Sequence, residues 1–86
     1  MSTQLRSVLI TGGAGYIGSH LIGLLLNHGY GVRVLDNLTY GGQGLLSYLT
    51  HAQFEFQHGD LRKEEDVHAA ISGIDSIVHL AAIVGD

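Results

Sequence analysis

Short runs of β-branched and apolar residues alternate along this chain with segments whose apolar residues recur at helical spacing. The runs predict strands over residues 7–11, 32–36, 54–57 and 76–80. The segments between them predict helices over residues 16–28 and 63–71 and a short helix over residues 45–49. This alternation predicts an α/β fold, in which right-handed crossovers build a parallel sheet with helices on both faces.

The predicted strands differ in how far neighbouring elements should bury them. The first, SVLIT at residues 7–11, is apolar on both faces, as expected for a buried strand of a parallel sheet. The expected strand order is 3-2-1-4, which puts the fourth strand, SIVHL, at an edge with apolar residues on both faces. We therefore expect the chain to associate with itself through this uncovered fourth strand.

Composition narrows the class of protein. Hydrophobic residues make up 45% and charged residues 14% of the sequence, which is the balance of a globular chain. The absence of cysteine excludes disulfides and thiolate chemistry. The net charge is −4 and the strong bases are scattered, so no nucleic-acid partner is expected. The longest apolar run, residues 22–26, is too short for a membrane span and no secretory signal pattern is present, so we expect a cytoplasmic protein.

A glycine-rich turn joins the first predicted strand to the first predicted helix. Its spacing is Gly12-x-x-Gly15-x-x-Gly18. In a dinucleotide-binding turn, the first glycine permits the tight bend, the second lets the pyrophosphate approach, and the third lets the helix lie close to the strand. The helix N-terminus then offers unpaired N–H groups to the anion. The alternative is an ordinary tight strand-to-helix turn, but the position between a strand and a helix favours NAD or a related dinucleotide.

Asp36 supplies the second element of this prediction. It ends the second predicted strand, 18 residues past Gly18, which is close to the spacing that dinucleotide folds use. Its carboxylate is suited to both hydroxyls of the adenosine ribose and would repel a 2′-phosphate, which favours NAD over NADP. The alternative is an acid that merely ends a strand. Asn37 is a further candidate at the same ribose, although it is equally suited to capping the turn.

Four motifs occur in register, namely TGGAGYIGSHL, LDNLTYGG, HGDLRKEEDV and VHLAA. With them, the sequence resembles the N-terminal part of the extended short-chain dehydrogenase/reductase family, and within it the NAD-dependent nucleotide-sugar epimerases and dehydratases. The resemblance runs from residue 8 to residue 86. It implies a Rossmann-type parallel sheet, incomplete here at about four strands, with NAD as cofactor and a nucleotide sugar as substrate of the full-length enzyme.

The resemblance also implies roles for individual residues. Gly12, Gly15, Tyr16 and Ile17 would contact the pyrophosphate, the last two through their backbone, with Gly18 completing the motif. Asp36 and Asn37 would hold the adenosine ribose. Asp60 and Leu61 match a pair that meets the adenine ring, the acid accepting a hydrogen bond from the exocyclic amine. Leu80, Ala81 and Ala82 match a segment beside the nicotinamide-side ribose.

Simpler structural roles compete with some of these assignments. Asp60 is placed to act as the N-cap of the helix over residues 63–71. Ala81 and Ala82 would equally suit close packing. The six histidines suggest a metal site, but none form H-x-H or H-x-x-x-H pairs, so we expect no metal. His79, within the fourth predicted strand, is expected to be packed there.

The family's catalytic Tyr-x-x-x-Lys pair is absent from the 86 residues, in which Lys63 is the only lysine. We therefore expect no catalytic residue in this chain, which would be the N-terminal portion of an NAD-binding Rossmann domain without a substrate domain. Three interpretations remain open: the cofactor-binding segment of an NAD-dependent epimerase, dehydratase or related oxidoreductase; a non-catalytic binding module or truncated product; and a regulatory NAD sensor. These residues do not indicate which substrate is used, because none of them is expected to contact the sugar or its nucleotide.

Overall fold

The computed structural model describes residues 6–12, 16–38 and 42–80. Four strands in this part of the chain form one sheet, in which every neighbouring pair is parallel. The strands are β1 (Ser7–Thr11), β2 (Gly31–Asp36), β3 (Phe54–His58) and β4 (Ser76–His79), and their order across the sheet is β3-β2-β1-β4. The predicted α/β class and the 3-2-1-4 order are both confirmed.

Three helical segments connect the strands. The first is α1 (Tyr16–Asn27), the second is a 3₁₀ helix, η1 (Gln43–Tyr48), and the third is α2 (Glu64–Ile71). The predicted boundaries of α1 and α2 each differ from the observed ones by one residue at one end. The segment predicted at residues 45–49 is a 3₁₀ helix that begins two residues earlier, at Gln43, and ends one residue earlier, at Tyr48.

Helix α1 ends one residue before the predicted end because a Schellman motif stops it. Gly29 adopts a φ of 86°, and its N–H donates to the Leu26 carbonyl at 3.1 Å. The N–H of Tyr30 donates to the Leu25 carbonyl at 3.0 Å. These two bonds satisfy carbonyls that the helix end would leave unpaired.

Residue alternation along the central strands directs side chains to two opposite faces of the sheet. On one face, Val8 and Ile10 of β1 join residues of α1 and η1 in the larger core. On the other face, Leu9 and Leu35 pack with Ala70 of α2. Helices therefore cover both faces, as predicted. The buried members of the larger core are Val8, Ile10, Ile22, Leu26, Val32, Val34, Leu45 and Phe54.

Strand β4 pairs with β1 alone and forms one edge of the described sheet. Its Ile77 is 55% exposed, whereas Leu9, opposite it on β1, is 2% exposed. The edge position predicted for the fourth strand is confirmed within residues 6–80. None of the helices in the described part of the chain has both the length and the apolar character needed to cross a bilayer.

Candidate functional site

The carboxyl ends of β1, β2 and β3 are tied together by hydrogen bonds that continue beyond the strands. The Gly12 N–H donates to the Leu35 carbonyl at 2.9 Å, and the Gly59 N–H donates to the Asp36 carbonyl at 3.1 Å. The three strand ends enclose a cavity of about 200 Å³. In open α/β sheets this end is where ligands bind. The cavity is lined by Gly12, Leu35, Asp36, Asn37, Gly59, Asp60 and Leu61.

The turn after β1 has the backbone conformation that its first glycine was predicted to provide. Gly12 adopts a φ of 77°, in the left-handed region that favours glycine. Gly15 lies outside the described residues, and Tyr16 is the first residue of α1. The Ile17 side chain is 64% exposed, whereas Gly18 is buried in the first turn of the helix.

Asp36 lines the cavity, and its side chain is hydrogen-bonded to the backbone that follows β2. The half-buried carboxylate accepts a hydrogen bond from the Leu38 N–H at 2.7 Å, which closes a turn directly after β2. Leu38 adopts a φ of 62°, which is uncommon for a residue with a side chain. Asn37 between them is exposed, and its carbonyl lies 3.2 Å from His58 Nε2. The bond from Leu38 fixes one carboxylate oxygen of Asp36 at the rim of the cavity.

Asp60 forms an ion pair at the opposite wall of the same cavity. Arg62 donates to Asp60 Oδ2 through its terminal nitrogen at 2.8 Å and to Asp60 Oδ1 through Nε at 3.1 Å. The Arg62 backbone N–H also donates to Oδ1, at 2.9 Å. These hydrogen bonds lower the pKa of Asp60 to about 2 and raise the pKa of Arg62. The carboxylate is therefore ionised throughout the neutral and mildly acidic range.

The alternative role predicted for Asp60, as N-cap of α2, is wrong. Lys63 occupies the N-cap position, and no side chain caps the helix there. Asp60 is three residues too early, and its carboxylate is turned to Arg62. Instead Asp66, in the first turn of α2, reaches back and accepts the Asp60 N–H at 2.9 Å.

Gly59, directly after β3, lies close to one side chain of β2 and one of α2. A β-carbon there would lie 2.8 Å from the Leu35 side chain and 3.0 Å from the Asp66 carboxylate. Real β-carbons essentially never approach another atom at 2.8 Å, so a larger residue would force the buried Leu35 side chain and the Asp66 carboxylate to shift. Sequence reasoning missed Gly59, Arg62 and Asp66 as parts of the site. Their spacing within GDLRKEED does not indicate a shared site, because Asp66 comes close to Asp60 only once the turn between them has formed.

The second group of predicted residues lies at the ends of β1 and β4. The Leu80 N–H donates to the Thr11 carbonyl at 3.0 Å, so Leu80 extends the strand pairing by one residue. Ala81 and Ala82 lie outside the described residues. The expectation that His79 is packed within the fourth strand is wrong, because an edge position leaves it exposed. Its Nδ1 lies 2.7 Å from Oγ1 of the buried Thr11, and the two share a hydrogen bond.

The structure therefore gathers one subset of the predicted residues, namely Gly12, Asp36, Asn37, Asp60 and Leu61, around one cavity. Ile17, Gly18 and Leu80 lie along the neighbouring elements and do not line it. Within residues 6–12, 16–38 and 42–80, no three His, Asp or Glu side chains are close enough to hold a metal ion.

Comparison with known proteins places this arrangement in a family. The model of the NAD dependent epimerase/dehydratase family matches residues 8–86, which is nearly the whole chain. The chain belongs to this family. The resemblance predicted from the four motifs is therefore confirmed, and NAD is the cofactor of the family.

Individual relatives are considerably longer than this chain. It is 45% identical over 84 residues to a UDP-glucose 4-epimerase of Halalkalibacterium halodurans, covering 93% of this chain and 24% of the relative. It is 40% identical to a 3 beta-hydroxysteroid dehydrogenase/Delta 5-->4-isomerase of Mycobacterium tuberculosis, covering 98% of this chain and 21% of the relative. The chain thus spans about a quarter of the length of the curated relatives it matches.

The fold is equally similar to solved members of the family. The dTDP-glucose 4,6-dehydratase of Bacillus anthracis, solved in complex with NAD, superimposes with a TM-score of 0.79 at 30% identity. The match covers 86% of this chain and 26% of the dehydratase. The described sheet therefore has the Rossmann-like fold of NAD-binding members of the family.

Proposed function

We propose that this chain binds NAD at the carboxyl ends of β1, β2 and β3, as the cofactor-binding segment of an epimerase, dehydratase or related oxidoreductase. The observation that carries the proposal is the cavity at which the Gly12 turn, Asp36 and Asp60 meet. Each comes from a different strand end, and only the fold brings them together. A glycine turn that merely tightened a connection would not require two carboxylates beside it.

The pyrophosphate is assigned to the turn between β1 and α1. Gly12, Gly15 and Gly18 allow close approach, while Tyr16 and Ile17 offer backbone N–H groups at the first turn of α1. The positive φ of Gly12 and the outward direction of the exposed Ile17 side chain support backbone contacts rather than side-chain contacts.

The two halves of the dinucleotide are assigned to the two sides of β1. On the β2 and β3 side, Asp36 and Asn37 would hold the adenosine ribose, and Asp60 and Leu61 would meet the adenine ring. The carboxylate of Asp36 disfavours a 2′-phosphate and hence NADP. On the β4 side, Leu80, Ala81 and Ala82 would lie beside the nicotinamide ribose.

The reaction of the full-length enzyme would be hydride transfer between a nucleotide sugar and the nicotinamide ring. The acid/base pair that this needs is not in the 86 residues, so we propose that they have no catalytic activity alone. The named relatives include a nucleotide-sugar enzyme and a steroid enzyme, which means that this segment does not determine the substrate. The cytoplasmic location stays a prediction.

Calorimetric titration of the chain with NAD and NADP tests the proposal. We expect NAD to bind and NADP to bind at least about tenfold more weakly, because the 2′-phosphate faces the Asp36 carboxylate. Asp36→Ala should weaken NAD binding and reduce the preference for NAD over NADP. Glu65→Ala, which removes an exposed carboxylate on α2, is the control and should leave both affinities unchanged. An unaltered NAD preference in Asp36→Ala would show that its assigned role is wrong.

A second proposal concerns the edge of the sheet. The 86-residue polypeptide would self-associate through β4, whose Ile77 is 55% exposed on an edge strand. Sedimentation velocity across the micromolar range should show a dimer, and Ile77→Lys should convert it to a monomer. A monomer at every concentration would contradict the proposal, whereas association only with NAD present would favour a sensor.

A further inference from the structure

Arg62 does not line the cavity itself but holds Asp60, which does. Its side chain is 85% exposed, whereas the Asp60 side chain that it holds is 21% exposed and lines the cavity. The guanidinium Nε and one terminal nitrogen reach both oxygens of the carboxylate, at distances between 2.8 and 3.2 Å. The Arg62 backbone N–H binds Oδ1 as well. This fork geometry holds a carboxylate in a single plane.

We propose that Arg62 is a positioning residue for adenine recognition, which orients the Asp60 carboxylate so that it accepts a hydrogen bond from the exocyclic amine. The inference rests on the proposed function, since it assumes that adenosine occupies this cavity. It adds that Arg62, which lies outside the cavity, contributes to the selectivity for a purine with an exocyclic amine over one with a carbonyl.

The backbone of Asp60 is fixed as firmly as its side chain. Asp66 Oδ2 accepts the Asp60 N–H at 2.9 Å, and the Asp60 carbonyl accepts the Lys63 N–H at 3.0 Å. Gln57 holds Asp66 in turn, donating to its carbonyl at 3.1 Å. With both ends of the residue restrained, the carboxylate loses little further conformational freedom when a ligand binds, and such preorganisation favours binding.

Charge gives the second reason for an arginine at this position. Asp36 and Asp60 both line the cavity, and Arg62 places a positive charge directly against the Asp60 carboxylate. The hydrogen bonds from Arg62 lower the pKa of Asp60 to about 2, so this carboxylate is ionised. An ionised carboxylate can accept a hydrogen bond but cannot donate one, so it pairs with the amine of adenine and repels the carbonyl of hypoxanthine.

The experiment compares binding of NAD with that of its deaminated analogue, in which hypoxanthine replaces adenine. Titration calorimetry on the unaltered chain should give an affinity for NAD about tenfold higher, the effect of about one hydrogen bond. Arg62→Ala keeps the backbone N–H at Oδ1 but removes the guanidinium, so the carboxylate would have more orientations and the ratio should fall to within about twofold of unity. Arg62→Lys, which keeps the charge without the fork, should give an intermediate ratio.

Two further variants separate this role from general effects of charge. Lys63→Ala removes the adjacent exposed cation and should leave the ratio unchanged. Asp60→Asn supplies an amide that can donate, so its preference should shift toward the deaminated analogue. If the role of Arg62 were merely structural, Arg62→Ala would weaken the binding of NAD and of its deaminated analogue equally, and the ratio of the two affinities would be unaltered.

Each outcome bears on a different claim. If the unaltered chain binds neither dinucleotide, the proposed function fails and the inference fails with it. If NAD binds but the unaltered chain does not distinguish the analogue, or if Arg62→Ala keeps the full ratio, the inference alone is overturned. Circular dichroism of each variant confirms that the fold is retained, as expected for an exposed side chain.

Discussion

The two faces of the sheet are built from the same strands but are held to their helices in different ways. On the α1 face, apolar side chains from three strands, α1 and η1 form a core that includes eight buried residues of the described part of the chain. On the α2 face, the buried core consists of Leu9, Leu35 and Ala70. Polar contacts attach α2 there: Arg33 donates to the carbonyls of Ala70 and Ser72 at 2.8 Å, and Gln57 donates to that of Asp66.

The two faces of the sheet therefore have different roles. Burial of apolar surface contributes about 25 cal/mol per Å², so the α1 face supplies most of the hydrophobic stabilisation. The α2 face, in contrast, presents the turn of residues 59–62 to the candidate site. Hydrogen bonds fix direction more strictly than apolar contacts do, which suits a turn that must aim a carboxylate.

The largest expected effect tests the α1 face. Ile22→Ala removes a fully buried side chain of α1 and should destabilise the protein by about 2–5 kcal/mol, from lost burial and the cavity left behind. That is a large part of the total stability of a small domain. Urea unfolding followed by circular dichroism measures it. Leu24→Ala, on the same helix but 58% exposed, is the control and should cost about 0.5 kcal/mol or less.

The next effect tests the α2 face. Gly59→Ala forces a β-carbon against Leu35 and Asp66 and should cost about 1–3 kcal/mol through overpacking. Urea unfolding gives the stability, and NAD titration should show weaker binding, since the turn that carries Asp60 is displaced. Gly42→Ala is the matched control, because the added carbon meets only the flexible tip of Leu38, at 3.1 Å. Equal costs for both variants would argue against a tight turn at Gly59.

A smaller effect concerns a hydrogen bond between Tyr48 and Ser19 on the α1 face. The Tyr48 hydroxyl donates to the Ser19 carbonyl at 2.9 Å and ties η1 to α1. Tyr48→Phe should cost about 0.5–1.5 kcal/mol in urea unfolding. Tyr30→Phe, whose hydroxyl makes no hydrogen bond to the described residues, should have almost no effect. A Tyr48→Phe variant as stable as the unaltered chain would mean that this hydrogen bond does not help to hold η1, which the Ser19 hydroxyl also contacts by donating to the Gly44 carbonyl at 3.0 Å.

The smallest effect depends on pH. The folded-state pKa of Asp60 is about 2, below the ordinary 3.8, so the Asp60–Arg62 pair adds stability above about pH 3.8 and loses it as the pH falls toward 2. Arg62→Ala should therefore be less stable at pH 5 and no less stable at pH 2. Acid titration of the Asp60 carboxyl by NMR should show its pKa rising in this variant. A pKa that stays near 2 would contradict the role of the ion pair.

The sequence predicted the strands well because their apolar patterns reflect burial that the tertiary structure also needs. Residues 7–11 form β1 as predicted, and β2 begins one residue early, at Gly31. The pattern was less informative where polar contacts decide the structure. The segment over residues 45–49 begins at Gln43 as a 3₁₀ helix, with Leu45 its one buried residue, so periodicity carried little information.

Side-chain roles at the carboxyl ends of the strands were predicted less completely than the strands themselves. Asp60 was identified as a site residue, but its capping role was wrong, because its partner is Arg62 rather than the helix N-terminus. His79 was placed in the correct strand with the wrong environment. The edge position of β4 was predicted, but the strand pattern alone does not show that His79 is exposed there or that Thr11 is its hydrogen-bond partner.

The sequence by itself determined the order of elements, the family, and the presence of a glycine turn followed by an acid at a strand end. These depend on local periodicity and short motifs, which are complete within a few residues. The tertiary structure decided that Gly12, Asp36 and Asp60 share one cavity and that Arg62 and Asp66 fix the last of them. Such contacts join residues on separate strand ends or across a turn, and their geometry is set by how the sheet and helices pack.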